Sequence, residues 1–117
     1  MIVDTGLQHI ADQMAEESQA QMSHMAVGTG NVAVQAADTT LNTEAARVAL
    51  TSVTRSDKKV SYVATFGAGV ATGALKEVGI FNAATGGTML MRHVFADINK
   101  GANDSLTITV EHTYARG

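Results

Sequence analysis

The sequence predicts a mainly β domain, an antiparallel β-sandwich or small jelly-roll-like barrel behind one short N-terminal α-helix. Three observations predict it. Ser105–Tyr114 alternates Leu106, Ile108, Val110, His112 and Tyr114 with Thr107, Thr109, Glu111 and Thr113, the two-residue period of a half-buried strand. Short apolar runs of the same kind recur along the chain with glycine turns between them, and only the first segment carries a helical period.

That first segment places Leu7, Ile10, Ala11 and Met14 at helical spacing, with Gln8, Asp12 and Gln13 opposite. Asp4 or Thr5 is expected to cap it, because either side chain can accept from the free N–H groups of a first turn. The polar stretch after Ala15 puts the helix end between Ala15 and Gln21. Strands are then expected at Ser23–Gly28, Ala46–Thr54, Lys59–Phe66, Ala74–Phe81, Thr88–Phe95 and Ser105–Tyr114. "RSDKK" (Arg55–Lys59) is a solvated turn, and Gly86-Gly87 supplies the positive φ of a hairpin between the fourth and fifth runs. The expected core is Val60, Tyr62, Phe66, Val78, Ile80, Phe81, Leu90, Leu106, Ile108 and Val110.

The 117 residues suffice for one core, so 1–117 is read as a single domain, with 1–21 as helix and arm and 22–117 as sandwich. Charged residues make up 16 % of the chain, below the usual quarter, which suits a subunit that covers much of its exterior with neighbours. A net charge of −3 with scattered basic residues gives nucleic acid no basic face. Cysteine is absent, so neither disulfides nor thiolate metal sites are available. No signal peptide or membrane-length apolar run is evident, and synthesis in a cytoplasm with no membrane partner is expected.

Gly28-Thr29-Gly30 with Ala33, and Gly67-Ala68-Gly69 with Gly73, imitate dinucleotide loops. Neither is followed by a helix and a second parallel strand ending in an acid, so both are read as turns and no cofactor is expected. His9, His24, His93 and His112 show no metal-ligand spacing. Asp38, Glu44, Glu77, Asp97, Asp104 and Glu111 lack a nucleophile or basic partner set, and are expected in solvated loop and strand positions. No G-x-S-x-G is present. Catalytic, cofactor and metal residues are therefore none, and the chain is not read as an enzyme. Among the six methionines, Met14, Met22 and Met25 form a group suited to core filling or to an adaptable contact surface.

The order of motifs carries a resemblance. "GLQHIADQM" leads to "SHMAVGTG" and "DTTLNTEAARVALTSVTR", then to "YVATFGAGVATGALKEVGIFNAATGGTMLMRHVF" and "NKGANDSLTITVEHT". This resembles small virion structural proteins of tailed bacteriophages, among them capsid decoration (cement) proteins, and is similar to the N-terminal domains of phage tail-fibre proteins. In these a "GTG" turn, a "T.L..E..R" segment, an "EVGIF" strand with its glycine turn and a threonine-rich last strand follow in order. The proline usual after the glycine turn is replaced here by Asn31-Val32-Ala33. The chain closes at Gly117 just after the last strand, without the shaft and tip of a fibre.

The resemblance implies a non-enzymatic virion component, a self-associating decoration or attachment module on the capsid or tail. Its partners would be itself, with a trimer the arrangement suggested, and major capsid or tail proteins. Capsid cement and fibre-anchoring subunit both remain open. A carbohydrate- or ligand-binding β-sandwich module is the alternative, for which five aromatics, all in strand runs, provide little exposed ring surface. The expected contact residues are Leu7, Ile10 and Met14 of the helix, with Met22 and Met25.

Overall fold

The computed structural model describes residues 1–15 and 20–114. Helix α1 (Asp4–Met14) precedes β1 (His24–Gly28), β2 (Glu44–Ala49), β3 (Ser52–Ser56), β4 (Lys59–Phe66), β5 (Gly73–Phe81), β6 (Met89–Lys100) and β7 (Leu106–Thr113). The strands form two antiparallel sheets, ordered β2-β1-β5-β6 and β3-β4-β7. This is the expected small β-sandwich behind one short helix.

The run expected as one strand, Ala46–Thr54, is divided between the sheets. The Leu50 N–H still donates to Ser23 O at 2.9 Å, on the β1 side, while the Thr51 N–H donates to Val63 O at 2.7 Å, on the β4 side. Leu50 and Thr51 therefore form a corner at which one bent strand serves both sheets. At the opposite side β6 and β7 do not pair among the described residues; the connection 101–105 joins them at one end, and the sandwich is open along the rest. The second hairpin fits expectation: Gly86 and Gly87 have φ of +60° and +74° in the turn between β5 and β6. Within "RSDKK", Asp57 and Lys58 make the turn between β3 and β4.

The core lies between the sheets and includes Met25, Val27, Tyr62, Ala64, Phe66, Leu75, Val78, Ile80 and Leu90. A second apolar cluster of Val3, Ala26, Leu41, Phe81 and Met89 packs with Val34. It roofs the four-stranded sheet with the N-terminus and the irregular segment 29–43. Of the expected core, Val60, Leu106, Ile108 and Val110 are only half-buried, because they line the open sides of the sandwich.

The N-terminus, expected as helix and arm over 1–21, begins on the chain's own four-stranded sheet. Ile2 bridges to Met91, Val3 N–H donates to Leu90 O at 3.2 Å, and Arg92 N–H donates to Met1 O at 3.0 Å. Val3 is fully buried. The first three residues thus extend the sheet beside β6. Neither Asp4 nor Thr5 caps α1: Val3 is the N-cap residue and makes no side-chain cap bond, and Thr5 Oγ1 donates instead to Met89 O at 2.8 Å. Ala15 closes the helix, and most of the interval expected to hold its end, 16–19, lies outside the described residues.

Candidate attachment surface

α1 docks by a face that takes only Ile10 from its apolar stripe. Gly6 and His9 are its buried residues. A Cβ on Gly6 would collide with the Leu90 carbonyl, so glycine is what lets the helix backbone lie directly on the start of β6. His9 Nε2 lies 2.9 Å from Ala20 O, and the tautomer protonated at Nε2 donates there. With those two residues inward, Leu7, Ala11 and Met14 point to solvent, at the i, i+4, i+7 positions of one stripe. Leu7 is 55 % exposed and Met14 81 %.

The five expected contact residues are therefore distributed over the surface and the interior. Leu7 and Met14 are on the surface. Ile10 and Met22 are partly buried and pack against the core. Met25 is fully buried among the core residues and is no contact residue, since β1 is a central strand flanked by β2 and β5. Ile10, Met14 and Met22 do meet along a groove of about 370 Å³ between α1 and the three-stranded sheet, floored by Val60 and Tyr62 with Tyr114 at its rim. Burial, and then the neighbouring Tyr114, push the Tyr62 hydroxyl up to about 12.

The glycine loops have a use of another kind. Glu77, expected in a solvated position, is fully buried, and its carboxylate is the centre of a network. Its Oε2 accepts from the N–H of Gly30 at 2.9 Å and of Thr43 at 2.7 Å. Its Oε1 accepts from the Asn42 N–H at 2.7 Å and from Arg92 Nε at 2.9 Å. Arg92, 1 % exposed, continues to Asp38 Oδ2 at 3.1 Å and to Val32 O at 2.9 Å. Burial by itself would raise the Glu77 pKa. The N–H groups of Thr43 and Asn42, the Arg92 guanidinium and the Gly30 N–H outweigh it, and the carboxyl is held below its ordinary value.

Gly28 and Gly30 thus do cradle an anion, but an internal one. A Cβ on Gly28 would collide with the Thr43 carbonyl and one on Gly30 with Asn42, so these glycines serve close approach and neither has positive φ. In the second loop Gly69 does have positive φ, +78°. The "E..R" pair works nearby: Arg47 donates from Nη2 to Glu44 Oε1 at 2.8 Å and from Nη1 to Ala83 O at 3.0 Å and Gly86 O at 2.8 Å. Its guanidinium also sits 3.7 Å from the Phe81 ring centroid, a cation–π contact. Motifs far apart in sequence therefore converge on one face of the four-stranded sheet and pin the segment 29–43 and the hairpin turn to it.

His93 and His112 both line the open side of the sandwich, a groove of about 370 Å³ between β6 and β7. His112 Nε2 is buried with no hydrogen-bond partner among the described residues. Burial, with a smaller contribution from the N-terminal ammonium, pushes its pKa down. His9 and His24 lie elsewhere, and among the described residues no three metal-ligating side chains converge. No described helix is long and apolar enough to cross a membrane. No family model matches the chain, and no curated protein matches its sequence.

Proposed function

We propose that this chain is a non-enzymatic structural subunit of a tailed-phage virion, a self-associating decoration or attachment module on the capsid or tail. The observation that carries the reading is the orientation of α1. The helix spends glycine and histidine on its own sheet and leaves Leu7, Ala11 and Met14 facing outward. An apolar stripe on a chain with so few charged residues is a contact waiting for a neighbour. The motif order supports the virion assignment, since the residues that carry the resemblance build a scaffold. Glu77 has each oxygen taken by two donors, and so is engaged in holding the loop down.

The test is the double variant Leu7→Asp with Met14→Asp. Both side chains are exposed, so the fold should be retained by circular dichroism and denaturation. Occupancy on particles assembled with the variant should fall about tenfold or more, since each charge would have to be desolvated in an apolar contact. Wild-type occupancy would end the reading.

A further inference from the structure

We infer that β7 is the strand along which two copies of this chain pair, antiparallel about a twofold axis; this deepens the self-association in the proposed function and rests on it. The Tyr114 N–H donates to Lys58 O at 2.9 Å. Lys59 is opposite Thr113 in the ladder, so Tyr114 and Lys58 form a hydrogen-bonded pair. Such pairs alternate along an antiparallel ladder, so Leu106, Ile108, Val110 and His112 direct their backbone groups to β4. Thr107, Thr109, Glu111 and Thr113 therefore aim their N–H and C=O groups at the outer edge, where no strand pairs with them among the described residues.

The other edges are shorter or interrupted. β6 is bridged by Ile2 near its start, and two extra residues bulge where the pairing shifts between Leu75↔Ile98 and Glu77↔Val94. β2 pairs through a register shift at Gly28. β3 has five residues and carries Arg55. β7 runs eight residues in unbroken register with β4, and its one charged residue, Glu111, is already paired with Lys59 at 3.1 Å.

A second copy of β7 fits this edge by its own sequence. A twofold axis normal to the sheet pairs residues of equal parity, which keeps the threonine face and the apolar face each on one side. Centred on Thr109 it sets Glu111 opposite Thr107; centred on Val110 it sets Glu111 opposite Thr109. Neither register opposes the two glutamates. Either one covers the inward Leu106, Ile108 and Val110, which are half-buried in the single chain, and makes one six-stranded sheet from two three-stranded ones.

Thr109→Pro tests the pairing, because it deletes an outward N–H and leaves the bonds to β4 intact. Sedimentation should show association weakened about tenfold or more, two symmetry-related hydrogen bonds being lost per dimer, while Thr109→Val associates like wild type. Equal association of Thr109→Pro and wild type would overturn the inference. Amide exchange on the unaltered chain decides the matter if the proline variant does not fold. Protection of Thr107, Thr109, Glu111 and Thr113 should rise with protein concentration; fast exchange of all four at every concentration overturns the pairing. Loss of particle occupancy in the helix variant alongside such fast exchange would leave the attachment reading standing and remove only this one.

Discussion

The two sheets of this sandwich are built to different standards of closure. The four-stranded sheet is covered on both faces, by the other sheet and by the segment 29–43 with the N-terminus, and one of its edges is bridged by Ile2 and bulged. It holds an internal ion pair, Glu77 with Arg92. The three-stranded sheet is covered on one face only. Its outer face carries Thr107, Thr109, Glu111 and Thr113 in the open, and its ion pair, Lys59–Glu111, is solvated. The difference separates two jobs. One sheet holds the chain's shape against solvent, and the other keeps backbone and hydroxyl groups available to something outside the chain.

The comparison breaks first at its charges. Arg92→Met should cost about 3–5 kcal/mol in chemical denaturation, because it leaves the Glu77 carboxylate buried without its cation. Lys59→Met, removing the same kind of partner from Glu111 on the other sheet, should give no resolvable change. Near-equal losses for the two would show that both sheets are load-sharing alike. The apolar residues give the next effect. Ile80→Ala, at a fully buried position, should cost about 2–5 kcal/mol, and Ile108→Ala, half-buried on β7, about 1–2 kcal/mol, since less of its surface leaves water.

Gly6→Ala probes how the helix is fastened to the closed sheet. The added methyl meets the Leu90 carbonyl, and a loss of about 1–3 kcal/mol is expected despite alanine's better helix propensity. A gain in stability would place the helix further from β6 than the structure does. The smallest effect is one of pH. His112 is held below the ordinary histidine value, so the unfolded chain takes up its proton first. Its contribution is complete above about pH 6.5 and is lost as pH falls from there through the lowered native value. Glu77, also lowered, adds a loss at more acid pH, below the ordinary glutamate value. His112→Leu should flatten the first part of the acid profile and leave the second.

The features legible in the sequence are those that rest on local pattern. β4 and β7 alternate cleanly and lie where alternation puts them, and Gly86-Gly87 makes its turn because positive φ is a property of the residues themselves. What was not legible depends on contacts distant in sequence. Glu77 stands inside an apolar strand, and its burial is explained only by donors from Gly30, Asn42, Thr43 and Arg92. The signal was available in weak form: an acid among β-strand apolar residues, a glycine pair able to expose N–H groups, and an arginine in the next strand. The stripe on α1 was found, but the face that docks was set by Gly6 and His9, whose fit depends on Leu90 and Ala20. The division of Ala46–Thr54 was hidden because a strand that bends between sheets keeps its alternation through the corner.

That corner fastens the two sheets along one side, while the other side is fastened at one end only. At Leu50 and Thr51 the two sheets share a continuous chain bonded to both, so they cannot separate there without breaking the bonds to Ser23 and Val63. On the β6–β7 side they are joined at one end, by the connection 101–105 and the Gly69 N–H bond to Ala102 O at 2.7 Å, and along the rest meet through side chains around a groove. Thermal breathing should therefore be lopsided, like a book held by its spine. Amides near the corner should exchange only when the whole domain unfolds, and those flanking the fore-edge through partial openings of lower free energy. Any neighbour that settled on the fore-edge would act as a clasp, slowing exchange there while leaving the spine unchanged.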